Sequence, residues 1–241
     1  KKEYEKIAKN IFTYVLRDMT SPEGVFYSAE DADSEGEEGK FYFWTKDEIE
    51  NRLDKEEAEL IIKVFNIEKE GNYIDQLKGE KTGDNIFHLE KPLEKISADQ
   101  GVPLKTIELQ LEKARQKLFT IREKRVHPYK DDKTLTDWNG LMIAALAKGA
   151  QAFDEPAYTN AAEKAADFIL KNMRTSSGRL LHRYRAGDAA IPAMAADYAY
   201  FTWGLLELYE ASFKVKYLDA AIELTEDLLK HFWDKKNGGL F

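Results

Sequence analysis

The sequence predicts a mainly α protein, part of an (α/α)6 toroid with short β-hairpin insertions. Three observations predict it. One pattern of Tyr, Ala, paired apolar residues and Gly recurs three times along the 241 residues. A long apolar helix leads into the second and third copies. After each Gly comes an apolar couplet that reads as a short strand.

The copies begin at Tyr4, Tyr158 and Tyr217. Ala follows four residues on, at Ala8, Ala162 and Ala221. Apolar pairs follow at Val15-Leu16, Ile169-Leu170 and Leu228-Leu229, and glycines at Gly24, Gly178 and Gly238. Apolar steps of three and four make one helix face, and a Gly past the end allows the positive φ that stops a helix. "DWNGLMIAALAKGAQAF" leads into Tyr158 and "DYAYFTWGLLELYEASF" into Tyr217. Both are apolar on nearly every face, as helices buried on two sides are. Stacked inner and outer helices with strand insertions favour a closed toroid over a solenoid of short repeats.

The middle of the chain breaks this rhythm. "TKDEIENRLDKEEAELIIKVFNI" reads as two short helices, with Thr45 and Glu48 as a capping box. The stretch from Glu68 to Pro103 is rich in Gly, Asp and Lys and reads mostly as loop. "LKTIELQLEKARQKLFTIREKR" is a helix with spaced Glu and Lys/Arg pairs. No low-complexity linker interrupts the chain, so residues 1–241 are expected to form one domain. The sequence lacks an initiator Met and stops at "KNGGLF", so it is read as a fragment of a longer protein.

Composition excludes several functions. With no cysteine there is no disulfide, thiolate zinc site or cysteine nucleophile. The formal charge of -8 and the lack of a dense basic face argue against nucleic acid, and favour a neutral or cationic small molecule or another protein. No apolar run is long enough to span a bilayer, and no signal peptide opens the chain, so no membrane role and a cytoplasmic location are expected. No phosphate loop or G-x-S-x-G is present, and no cofactor or metal is expected.

Four constellations carry chemistry. "SAEDADSEGEEGKFYFW" is read as a β-hairpin whose turn is acidic. Asp31, Asp33, Glu35 and Gly36 match the start of a calcium loop, but position 12 is Tyr42 rather than a bidentate Glu. The alternatives are a solvated turn and a carboxylate cluster, in which Asp31 and Asp33 are candidate acids and Glu30 a binding group. In "DDKTLTDWNGL", Asp137 or Asn139 can cap the following helix; alternatively Asp137, Trp138 and Asn139 together suit a sugar, with Trp138 stacking on the ring face and Asp137 and Asn139 bonding hydroxyls. In "LLHRYRAGDAA", His182, a candidate binding group and the one histidine near a motif that an epimerase could use, shares a strand face with Tyr184, and Arg183 and Arg185, candidates for binding an anionic group, share the other. Asp197 precedes the next inner helix much as Asp137 does, with Tyr198 as a second platform. Two acids at adjacent helix mouths suit the acid/base pair of glycoside hydrolysis, although capping explains each equally well.

"GVFYSAEDADSEGEEGKFYFWT", "KTLTDWNGLMIAALA" and "DYAYFTWGLLELYEA" resemble a thioredoxin-domain-containing family, the one that includes spermatogenesis-associated protein 20. The resemblance implies a helical region built as a six-hairpin toroid related to glycosidases and N-acylglucosamine 2-epimerases. In full-length members it follows a thioredoxin-like domain, so this chain would lack that domain and the last hairpins. The resemblance implies no settled activity. Where relatives carry two adjacent acids, this chain has Ala196 before Asp197. Two functions follow: acid/base chemistry on a sugar-like small molecule, through Asp31, Asp33, Asp137 and Asp197, or a non-catalytic scaffold that works with the thioredoxin-like domain.

Overall fold

A computed structural model describes residues 2–75 and 79–241. They pack as two compact units, the first made of residues 1–30 and 130–241 and the second of residues 31–129. In the first unit, helix α1 (Lys2–Asp18) is followed by strand β1 (Ala29–Glu30). The second unit contains β2 (Asp33–Ser34), β3 (Glu37–Glu38), α2 (Lys46–Arg52), α3 (Lys55–Val64), β4 (Ile74–Asp75), β5 (Glu80–Lys81), α4 (Leu93–Gln100) and α5 (Leu104–Arg122). The chain then returns to the first unit with β6 (Lys130–Asp131), β7 (Thr134–Leu135), α6 (Thr136–Phe153) and α7 (Pro156–Asn172). There β8 (Leu181–Arg185), β9 (Asp188–Pro192), α8 (Ala195–Ser212) and α9 (Val215–Phe232) complete the fold.

The first unit has the inner and outer helix layers expected of a partial α/α toroid. Helices α6 and α8 pack on one another, α7 packs behind α6, and α9 packs behind α8. The inner pair meets backbone to backbone. A Cβ on Gly140 would come within 2.6 Å of the Tyr200 carbonyl and the Phe201 nitrogen. One on Gly204 would meet the Gly140 oxygen at 2.6 Å. Around this crossing Ile143, Leu146, Phe201 and Leu205 are fully buried. Helix α1 joins through Phe12, whose ring occupies the space that a Gly149 side chain would need and lies 4.8 Å from the Tyr158 ring.

The threefold repeat is carried into backbone geometry. After α1, α7 and α9 the chain turns at Gly24, Gly178 and Gly238, with φ of 92°, 89° and 77°. Each turn closes an isolated antiparallel bridge, at Thr20–Phe26, Arg174–Leu180 and Trp233–Leu240. After the second copy the chain continues into β8, which pairs with β7 (Leu135 opposite Arg183) and with β9 (Arg183 opposite Ala190). The inner helices differ from expectation in one respect. Each keeps an exposed apolar strip, Trp138 and Leu141 on α6 and Tyr200, Trp203 and Leu206 on α8.

The second unit has its own core, built around Ile49, Ile61, Ile107, Ala114 and Trp44. Helix α2 starts as expected, with the Thr45 hydroxyl accepting from the Glu48 N–H at 3.1 Å. Two features differ from the sequence reading. The run from Lys40 to Trp44 is not a strand, and the hairpin is confined to the β2–β3 tip, Asp33 opposite Glu38. The stretch read as loop contains α4, which buries Ile96 and ends at Gly101 in the left-handed conformation (φ 65°). Asn85, fully buried, holds that stretch together by accepting from the Glu68 and Asn72 N–H groups and donating to the Trp44, Glu68 and Gly83 carbonyls.

Two predictions follow from the packing. Gly140→Ala puts a methyl group into backbone that cannot move aside, and should cost about 1–3 kcal/mol in denaturant melts. Wild-type stability in that variant would mean that the helices can part without penalty. The second concerns Glu57, whose carboxylate is nearly buried and bridged by Lys113 at 2.8 Å and Lys117 at 2.7 Å. The two ammonium groups hold its pKa down to about 2. An unfolded Glu titrates at about 4.3. The stabilisation is therefore present above that value and is lost as pH falls towards about 2. The hydrogen-exchange protection factors of α3 amides should fall across that window in the wild type, and change less steeply in Glu57→Gln.

Candidate active site

The site is assembled where α6 and α8 begin. Asp197 lies in the first turn of α8 and is 1% exposed. Its Oδ2 accepts from the Met194 N–H at 2.8 Å, satisfying a free donor of its own helix. Its Oδ1 accepts from the Asp137 N–H in the first turn of α6, at 3.1 Å. One carboxylate thus caps two helix starts, where unpaired N–H groups and the helix dipole favour negative charge.

The same carboxylate faces His182. The His182 Nδ1 lies 2.9 Å from Asp197 Oδ1 and 3.0 Å from Oδ2. A carboxylate only accepts, so Nδ1 carries the proton and Nε2 keeps its lone pair in the neutral ring. His182 is held in place by β8, which β7 pairs, and by the Thr136 hydroxyl, which donates to the adjacent Leu181 carbonyl at 2.6 Å. Its side chain is 18% exposed, so the ring is supported yet reachable.

Asp137 completes the cluster. Among the described residues, Asp137, His182 and Asp197 each offer a donor atom within 4.8 Å of the others. By distance these three donors suit a cation. Here both Asp197 oxygens already accept from N–H groups, so an ion would compete with His182 for them. Trp138, next to Asp137, is 52% exposed and presents an uncovered indole.

The structure redistributes the roles expected from the sequence. Asp137, His182 and Asp197 come together, with Trp138 adjacent in sequence to Asp137. Asp197 is a buried positioning group rather than an open acid. Asn139 is not a helix cap, because α6 starts three residues earlier, at Thr136. Nor is it a binding group. It is 1% exposed, its Oδ1 accepts from the Phe26 N–H at 2.9 Å, and its Nδ2 donates to the Phe26 and Leu135 carbonyls. Tyr198 offers no platform, being fully buried, with its hydroxyl donating to Asp227 at 2.6 Å. Burial first, and Asp227 second, raise that hydroxyl's pKa.

The remaining candidates are paired or lie on the second unit. Glu30 accepts from the Tyr14 hydroxyl at 2.8 Å and lies 3.3 Å from Lys130. Arg183 faces Asp188 at 3.2 Å and Arg185 faces Asp132 at 2.6 Å. Asp31 and Asp33 are exposed on the second unit, where Asp31 accepts from the Asp33 N–H at 3.1 Å in a local turn. Ala196 is exposed on the first turn of α8. Thr136, which anchors the histidine strand, went unnoticed in the sequence. Its only signal there is a hydroxyl residue immediately before Asp137.

No family model matches the chain. Curated relatives do. Spermatogenesis-associated protein 20 from Homo sapiens is 32% identical over 264 aligned residues, covering 99% of this chain and 34% of that protein. The Rattus norvegicus protein of the same name is 31% identical, and an uncharacterised Caenorhabditis elegans protein is 29% identical over 95% of this chain. The chain thus spans about a third of the length of the curated relatives it matches. Among solved structures, a D-mannose isomerase aligns over the whole chain and 73% of its own, at 17% identity and a TM-score of 0.41. The cellobiose 2-epimerase of Bacillus thermoamylovorans aligns over 98% of this chain and 58% of its own, at 10% identity and a TM-score of 0.42. A GH76 α-mannanase from Bacteroides thetaiotaomicron covers 55% of this chain and 41% of its own, with a TM-score of 0.42. Nothing about activity follows from scores at this level. No described helix is long and apolar enough to cross a membrane.

The Asn139 assignment has a direct test. Asn139→Asp sets a carboxylate against the Phe26 and Leu135 carbonyls and removes two donated hydrogen bonds. It should cost about 1–3 kcal/mol, the penalty of buried groups left unpaired. The readout is the thermal melt. A variant as stable as wild type would return Asn139 to the list of ligand-binding candidates.

Proposed function

We propose that the first unit carries out acid/base chemistry on a carbohydrate-like small molecule, with His182 as the proton-transfer group. The observation that carries this is the His182–Asp197 pair. A reachable imidazole is locked into one tautomer by a buried carboxylate that two helix starts also hold. Asp197 orients the ring and would stabilise the imidazolium formed when Nε2 takes a proton. Asp137 supplies a second carboxyl group within reach of the same centre. Trp138 provides the flat apolar surface on which a sugar ring face can stack.

This arrangement suits proton transfer of the epimerase or isomerase kind better than glycoside hydrolysis. Hydrolysis needs two carboxyl groups, both addressing the glycosidic bond. Asp197 addresses the histidine and two backbone N–H groups instead. Asp137 is thus the one carboxyl group of the pair left to face a substrate.

The test is solvent-deuterium exchange into a panel of aldoses, ketoses and N-acyl amino sugars, followed by NMR with the intact protein. Exchange at a carbon-bound position is expected for at least one sugar and should be abolished in His182→Gln. Asp197→Asn should lower the rate by about 10²–10⁴, the range for general acid/base catalysis. Trp138→Ala should raise KM more than it lowers kcat. Absence of exchange across the panel, or full activity in His182→Gln, would overturn the proposal.

A further inference from the structure

The acidic hairpin borders a cavity of about 690 Å³ lined, among the described residues, by the second unit. Ligand pockets run from about 300 to 1,000 Å³. Part of the wall is aromatic. Phe41, Phe43 and Tyr73 line it, and the Phe43 and Tyr73 rings lie 4.7 Å apart at 37°. Gly39 makes this packing possible, because a Cβ there would come within 2.5 Å of the Phe43 ring.

Arg125, itself a lining residue, fixes this part of the wall. Its Nη1 donates to the Phe41 carbonyl at 2.9 Å and the Phe43 carbonyl at 2.6 Å, while its Nη2 donates to Glu48 at 2.7 Å. The guanidinium also stacks 4.1 Å above the buried Trp44 ring. The two ring-bearing residues are therefore held before any ligand arrives.

The charge around the cavity is unbalanced. Among the described residues, Glu35, Glu37, Glu38, Glu48 and Asp84 line it, against Lys40, Lys124 and Arg125. Two of those cations are already engaged. Lys40 lies 3.0 Å from Glu37 and 3.6 Å from Glu35, and Arg125 is bound to Glu48. Asp84 accepts only the Thr82 hydroxyl, at 2.6 Å, and neither it nor Glu38 has a cationic partner among the described residues. A concave site with excess carboxylate and an aromatic wall selects for positive charge on an apolar stem, since ring faces and carboxylates both attract ammonium groups.

The geometry points to this cavity as a binding site for a small aliphatic polyamine, with ammonium groups at the Glu38 and Asp84 rim and methylenes along Phe43 and Tyr73. The site is independent of the His182 chemistry, so either can fail alone. Isothermal titration of the intact protein with spermidine, at about 0.15 M salt, tests it. Saturable one-to-one binding is expected. The exposed-rim variant Glu38→Gln should weaken it about tenfold, the loss of one charge-assisted hydrogen bond. Phe43→Leu, checked for folding by circular dichroism, should weaken it as well. The proposal is overturned if spermidine produces no saturable heat, if magnesium at matched ionic strength displaces it equally well, or if Glu38→Gln and Asp84→Asn together leave the affinity unchanged.

Discussion

The contact on which the first unit depends is the crossing of α6 and α8 at Gly140 and Gly204. Neither position can accept a Cβ, because backbone atoms of the other helix stand 2.6 Å from where it would lie. This closeness lets the Asp137 N–H reach the Asp197 carboxylate. A larger residue at either glycine would push the helices apart, and the two first turns would separate with them. The site is thus a consequence of helix packing, made from groups that cap helices on its inner side and face solvent on its outer side.

At Asp197, helix capping and the proposed chemistry share atoms. Asp197 must satisfy N–H groups of two helices and orient an imidazole, and one buried carboxylate has enough acceptor positions for all three. From the sequence alone, helix capping and catalysis are rival explanations of Asp197. In the structure they are compatible, because the capping bonds fix the carboxylate that in turn fixes the ring.

The second unit is stabilised by other means. It has little regular sheet and relies on two polar anchors, the buried Asn85 in its long connection and the half-buried Arg125 at the aromatic wall. Both satisfy backbone groups that would otherwise be left unpaired in a loop-rich fold. The acidic hairpin is attached to this framework and gives the neighbouring cavity its negative charge.

Local periodicity made the helices, the three glycine turns and the strand carrying His182 legible in the sequence. A helix face and a positive-φ turn are short-range properties, encoded within a few residues. The same locality brought Asp137, Trp138, His182 and Asp197 forward as candidates. The sequence could not assign their roles, nor show that Asn139 and Tyr198 are interior residues. Those outcomes depend on partners far along the chain: Phe26, 113 positions from Asn139, and Asp227, 29 positions from Tyr198. Helix α4 was missed because its stretch reads as loop by composition, whereas burial of Ile96 and the left-handed turn at Gly101 define it. Residue type and spacing determined which groups were available. Only the packed backbone decided which of them face solvent, since burial and hydrogen-bond satisfaction belong to the whole fold.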